Sequence, residues 1–143
     1  MKLDEKGRFQ PPPALPTHAQ RVATELGSWP RVHARTHWFL GDETVVDGAD
    51  FYLGDDELGH LHLDGMAHIP QAAAVAEALL AARLARPFRW GANWVQLPVT
   101  SARSVEQALW LFRLSYDRRR GVRVGDLVAR VNARRDEGMS VRG

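Results

Sequence analysis

The sequence predicts an α+β fold, an antiparallel β-sheet with helices packed on one face, in two layers. Period-two alternation gathers in the middle of the chain, in "RVHARTHWF", "FYLG", "ELGHLHL" and "WVQLPV". Helical spacing then takes over, at Val75, Leu79, Leu80 and Leu84 and again at Val105, Ala108, Leu109, Phe112 and Tyr116. The length of 143 residues, with 45% hydrophobic residues, suits one domain burying about two-thirds of its unfolded surface.

Residues 1–16 end in "PPPALP", a stiff, core-poor stretch that reads as a flexible arm, and 17–143 form the single domain. A first helix fits 17–27, with Thr17 as cap, Val22, Ala23 and Leu26 as its apolar stripe and Gly27 as its stop. The strand from Arg31 to His37 puts Val32, Ala34 and Thr36 on one side and Arg31, His33, Arg35 and His37 on the other. "GDETVVDGAD" reads as turn-rich, and "FYLG" with "ELGHLHL" as a hairpin. Pro70 opens a helix over 70–84. "PFRW" and "WVQLPV" pair around Gly91, Ser104 with Gln107 caps a helix running to Arg118, and a last helix covers 124–135.

Composition excludes several chemistries. Without cysteine there are no disulfides, thiolate nucleophiles or Cys-ligated metals. A net charge of +2 does not argue for nucleic acid, and the arginines from Arg118 to Arg142 read as a solvated helix face. No apolar run approaches the roughly 18 residues of a membrane span, and the polar start is not read as a signal peptide, so a cytoplasmic protein without a membrane partner is expected. No Ser-x-Gly elbow, Gly-rich phosphate loop, paired catalytic carboxylate or calcium loop stands out.

The alternation sorts the sheet into two faces. The buried set is Val32, Ala34, Phe51, Leu53, Leu61, Leu63, Val95, Leu97 and Val99; the open set is Arg31, His33, Arg35, His37, Asp50, Tyr52, His60, His62, Asp64, Trp94 and Gln96. A solvated face draws mostly on Thr, Lys, Glu and Ser. This one holds four of the six histidines together with Arg, Tyr and Trp, the types that bind anions, stack on rings and move protons near neutral pH.

Within "ELGHLHLDG", His60 and His62 point the same way about 6.6 Å apart and can flank one substrate or one metal. Asp64 lies about 13 Å along from His60 and cannot join both as a ligand. A divalent metal at His60 and His62 would need a third ligand, from His33 or His37. Gly54…His60-x-His62 also fits the opening of the cupin metal motif, but Met66 and Ala67 stand where its glutamate belongs. His68, in a two-residue hairpin over Asp64-Gly65, would lie opposite Leu61 and face the core. Trp94 is either packing at a sheet edge or a stacking platform.

From Phe51 to Tyr116 the chain resembles the luciferase-like domain family, which comprises the fungal luciferases and small bacterial relatives. The resemblance rests on "FYLGDDELGHLHLDGMAHIP" and "NWVQLPVTSARSVEQALWLFRLSYD": a His-x-His segment, a helix, a Trp-led strand and a helix ending in Ser-Tyr. It implies dioxygen chemistry on an electron-rich hydroxylated ring, without flavin or added metal. His60 and His62 would match the family's paired histidines, one ionising an enol or phenol and the other, or an arginine, holding the charge. The family carries a histidine ahead of the Trp-led strand, where this chain reads Phe88-Arg89-Trp90.

Three functions follow as expectations. The first is a cofactor-independent oxygenase or acid–base enzyme on a small acidic or aromatic metabolite, with His60 and His62 catalytic and Arg31, His33, Arg35, His37, Tyr52, Asp64 and Trp94 binding the substrate. The second is a non-catalytic binding or interaction domain for an anionic ligand or partner, favoured by the departure at Phe88. The third is a metal-dependent enzyme with a His-x-His site.

Overall fold

A computed structural model describes residues 7–39 and 42–142, with only the helical backbone over 139–142. Its elements are α1 (Thr17–Ser28), β1 (Val32–Phe39), β2 (Asp42–Leu53), β3 (Asp56–His62), β4 (Met66–Pro70), α2 (Ala73–Ala81), β5 (Arg86–Pro87), β6 (Trp94–Pro98), α3 (Ala102–Arg119) and α4 (Val124–Arg142). The strands form one six-stranded sheet in the order β1-β2-β3-β4-β6-β5, every neighbouring pair antiparallel. With the helices gathered on one face, this is the two-layer α+β architecture that the sequence predicts. Among the described residues no helix is long and apolar enough to cross a membrane.

The core forms where the apolar side of the sheet meets the helices. Phe51, Leu61, Ile69 and Val95 face Val22 and Leu26 of α1 and Leu111 and Phe112 of α3, all at most 1% exposed. Phe112 meets Phe51 edge-on, with ring centroids 6.2 Å apart. Removing a ring so placed costs about 3–5 kcal/mol. Helix α3 also ties the layers by polar contacts. Ser115 Oγ donates to the Leu58 carbonyl at 3.0 Å, and Tyr116 Oη donates to the Pro30 carbonyl at 2.9 Å.

Several element boundaries differ from expectation, each for a local reason. "DETVVDGADFYL" is one continuous strand, because pairing with both β1 and β3 outweighs its turn-rich composition. Pro70 closes β4 rather than opening a helix, and α2 starts at Ala73. Helix α3 is capped one turn earlier than predicted. Ser101 and Ser104 exchange the capping bonds there, while Gln107 donates to the Leu84 carbonyl at 2.7 Å. Thr17 is the first residue of α1 rather than its cap, which is Pro16. Of the first predicted strand around Gly91, "PFRW", only Pro87 pairs with β6, together with Arg86 just before it.

Of the lead-in, residues 1–6 lie outside the described residues. Residues 7–11 run along the outer edge of β1: the Thr36 amide donates to the Gln10 carbonyl at 2.8 Å, Thr36 Oγ1 to Pro11 at 2.6 Å and Trp38 Nε1 to Arg8 at 3.2 Å. The first of these bonds caps a backbone donor that an edge strand otherwise leaves open to a foreign strand.

One register correction matters for everything that follows. The loop between β3 and β4 is Leu63–Gly65, three residues rather than two, closed by the Gly65 amide donating to the His62 carbonyl at 2.9 Å. His68 therefore pairs with His60, not with Leu61, and changes face. Leu63, predicted to be core, sits in that loop at 41% exposure.

Gly59 lies at a close contact between sheet and helix. At φ +145°, a Cβ there would stand 2.6 Å from Phe112 Cε1 and 2.8 Å from the His68 carbonyl oxygen. Gly59→Ala is expected to destabilise the fold by about 2–4 kcal/mol. Gly27→Ala, in the last turn of α1 with nothing within 4 Å of the added methyl, should be neutral or stabilise by about 0.5–1 kcal/mol. Denaturant midpoints of the two variants check both signs.

Candidate functional site

The strand register lays the open face out in rows. One row crosses the sheet as Arg35, Asp50, His60, His68 and Gln96. The next places Gly48 between His37 and His62. Having no side chain, Gly48 leaves those two rings free to approach, and their centroids are 5.0 Å apart, edge to face. A Cβ at Gly48 would in any case lie 2.0 Å from the Leu61 carbonyl oxygen.

Four imidazoles meet on this face. His37 stacks on His60 with centroids 4.0 Å apart and planes 12° from parallel. His68 stands edge-on to His60 at 5.1 Å and to His62 at 4.4 Å. His68 Nδ1 lies 3.1 Å from His60 Nε2 and 2.9 Å from His62 Nε2. The side chains of His37, His60 and His62 keep 14, 11 and 18% of their surface, so each is partly open to solvent.

Two β-bulges bring carboxylates to the cluster. Leu58 is the extra residue between Gly59, opposite Phe51, and Glu57, opposite Tyr52. The bulge turns Glu57 onto the histidine face, where its Oε2 accepts a hydrogen bond from His60 Nδ1–H at 2.8 Å. The Leu58 carbonyl displaced from the ladder is the one that Ser115 satisfies. On β2, Asp47 is skipped between Gly48, opposite His37, and Val46, opposite Trp38. Its Oδ2 lies 2.9 Å from His62 Nδ1 and 3.9 Å from His37 Nε2. Asp50, fully buried, is bonded to His37 Nδ1 at 2.7 Å and lies 3.7 Å from His60 Nδ1.

An aromatic rim borders one side. Phe88 lies 4.4 Å from His68, and Trp94 lies 5.4 Å from His60 and 6.2 Å from Phe88. A flat ring placed over the imidazoles would have these two as its wall.

Of the residues singled out in the sequence, His60, His62, His37 and Trp94 come together. Tyr52 belongs to the neighbouring row but is fully buried, with His33 stacked on it at 5.7 Å. Arg35 is directed away from the cluster, its guanidinium donating to the Gly7 carbonyl at 3.0 Å and lying over the Phe9 ring at 5.5 Å. Arg31 precedes β1 with φ 67° and is exposed. Asp64 sits in the β3–β4 loop, accepting from the Met66 amide at 2.9 Å. Sequence reasoning missed His68, Glu57 and Asp47. His68 changes face with a one-residue change in loop length, and the two carboxylates are aimed by bulges that alternation does not foresee.

Protonation follows from packing. Burial, then repulsion from His37, holds His60 well below the ordinary imidazole range despite the pull of Asp50. Burial likewise lowers His62 against the attraction of Asp47, and lowers His68 to about 4. His60, His62 and His68 are thus neutral at pH 7. A separate recess on the helical side is bounded by Arg83, Leu84, Leu97, Ser101 and Arg134. It holds no histidine, and Arg134 there is already engaged by Gln107 at 2.7 Å.

Comparison with known families returns one whose description is Luciferase domain, matching residues 55–115. Within that segment the chain is luciferase-like. The matched residues run from the start of β3 into α3 and include His60, His62, His68, Glu57, Trp94 and Gln96. The luciferase-like segment thus holds three of the four clustered imidazoles, while β1 and β2 bring His37, Asp47 and Asp50 from outside it. No curated protein and no solved structure matched in the corresponding comparisons.

His60, His62 and His68 set an acid limit on stability. Each carries a folded-state pKa below its unfolded value near 6.5, so the unfolded chain binds more protons as pH falls. Their contribution is fully present above about pH 6.5 and, for His68, is lost between there and about pH 4. In metal-free buffer the melting temperature should fall across this window. His68→Gln should make the decline shallower, and an equally steep decline would contradict the assignment.

Proposed function

We propose that the luciferase-like domain is a small-molecule enzyme of oxygenase-like or acid–base type. Its reaction centre is the histidine cluster, and its substrate is a small hydroxylated aromatic or enolic metabolite. The observation that carries this reading is the convergence of His60 Nε2 and His62 Nε2 on His68 Nδ1, with Glu57 and Asp47 behind the first two rings.

A carboxylate at Nδ1 keeps the proton on that nitrogen and leaves a basic lone pair on Nε2. A centre built this way favours the ionised form of an acidic hydroxyl brought against it. The resulting anion is electron-rich at ring carbon and can reduce dioxygen to the peroxide level. A carbon–oxygen bond forms, the O–O π bond is lost, and the distal oxygen takes up the proton that the hydroxyl gave up, leaving a ring hydroperoxide. Phe88 and Trp94 support the choice of a flat ring as substrate, since both lie where such a ring would stack over the imidazoles.

A second reading, binding without turnover, draws on Phe88. Its ring contacts His68 at 4.4 Å, and a phenyl group packs there but transfers no proton.

Oxygen uptake on a panel of enolisable phenols and pyrones tests the first reading. The wild type should consume oxygen with at least one class of ring, and His60→Ala and His62→Ala should each lose about 10²–10⁴-fold in rate. Stabilisation by a ring without any oxygen uptake or proton exchange would favour the binding reading. Undiminished turnover in both variants would refute the assignment of the site.

A further inference from the structure

We infer that His68 holds the proton that the substrate hydroxyl gives up, in a hydrogen bond between its Nδ1 and Nε2 of His62. Gln96 is the positioning residue that keeps His68 Nδ1 ready to accept it. The inference rests on reading the histidine cluster as a base for an acidic hydroxyl, and it says where that proton is kept.

Gln96 Nε2 donates to the Pro87 carbonyl at 3.1 Å, so its Oε1 faces His68 Nε2 at 3.1 Å and accepts from that N–H. Neutral His68 therefore carries no proton on Nδ1. His62 gives its Nδ1–H to Asp47 at 2.9 Å and His60 its Nδ1–H to Glu57 at 2.8 Å, so neither Nε2 carries a proton. His68 Nδ1 lies 2.9 Å from His62 Nε2 and 3.1 Å from His60 Nε2. Both contacts have hydrogen-bond length, yet the resting tautomers put no proton in either. Two lone pairs so close repel, and one added proton turns the contact into a charge-assisted N–H···N bond. The contact with His62 is the shorter of the two and is the one that takes the proton. Each contact is a separate pair, so His60 and His62 need not approach one another.

The proton balance closes on these residues. The substrate O–H bond breaks, its electron pair stays on oxygen, and the proton becomes the N–H shared by His68 and His62. Once dioxygen has added to the ring carbon, the same proton passes to the distal peroxide oxygen and both rings return to their first tautomers. Burial suits a proton that must be given back. It is the main cause that lowers His68 to about 4, with His62, His37 and Asp64 acting through space and His60 in contact. The place is therefore empty at pH 7 until an anion forms beside it, and the anion's charge offsets the cost of filling it. The aromatic wall also begins at this ring, with Phe88 4.4 Å from His68.

Acid titration of the imidazole nitrogens by 15N spectroscopy, from pH 7 to about pH 4 and without substrate, reads the shared proton. In the wild type His62 Nε2 and His68 Nδ1 should change together, with one downfield proton coupled to both. Gln96→Glu sets a carboxylate behind His68 Nε2–H and should raise the common midpoint by about one pH unit. His68→Gln should remove the coupled proton and leave His62 titrating by itself. Near-ultraviolet circular dichroism at pH 7 checks that each variant is folded. In the oxygen-uptake assay, Gln96→Glu should move the acid limb of the pH–rate profile up by as much as the midpoint moves, because the base must be unprotonated to act. Separate midpoints for His62 and His68, an unmoved midpoint in folded Gln96→Glu, or a moved midpoint with an unmoved acid limb would each overturn the proposal. No turnover by the wild type would instead refute the reading on which it rests, so the two failures are told apart.

Discussion

Pairing of His60 with His68 across β3 and β4 is the constraint on which the site depends. A strand shows alternate residues to opposite faces, so a slip of one residue between these strands would send His68 into the helical layer. The three-residue loop Leu63–Gly65 sets this register, and the adjoining pair, Leu61 with Ala67, holds it from the core side. Both of those side chains are fully buried, so slippage would expose them and place an imidazole in their stead. Burial on one face thereby fixes the geometry on the other.

The carboxylates are delivered by departures from regularity. A perfectly alternating β3 would point Glu57 away from His60, and a perfectly alternating β2 would point Asp47 away from His62. Each strand carries one extra residue at the right place, and each extra residue re-aims an acid. The bulge in β3 also needs the helical layer. Ser115 of α3 satisfies the Leu58 carbonyl, and Gly59 admits the Phe112 ring against the strand. Core packing and the disposition of the site are therefore coupled through one short segment. An unpaired carbonyl buried at Leu58 would cost about 1–3 kcal/mol, which is why the hydroxyl of Ser115 sits at that height on α3.

Much of this was legible in the residues themselves. Alternation in β1, β3 and β6 placed His37, His60, His62 and Trp94 on one face, since each strand has aliphatic side chains that can only point inward. The luciferase-like resemblance read from Phe51 to Tyr116 agrees with the family match over residues 55–115. What was not legible depended on counting residues in turns and bulges. A two-residue hairpin would put His68 in the core, and strict period two hides Glu57 and Asp47. Arg35 was expected on the ligand face, yet contacts with Gly7 and Phe9 draw it to the sheet edge. Strand periodicity is local information; register and bulges are set by packing between distant segments.

The central claim is an arrangement of protons: Nδ1–H on His60 and His62, facing Glu57 and Asp47, and Nε2–H on His68, facing Gln96 Oε1. Two-bond 15N–1H correlation of the imidazole rings, recorded at pH 7, reads it directly. The account predicts three neutral rings, His60 and His62 in the Nδ1–H form and His68 in the Nε2–H form. A protonated Nδ1 on His68, or the Nε2–H form for both His60 and His62, would contradict it.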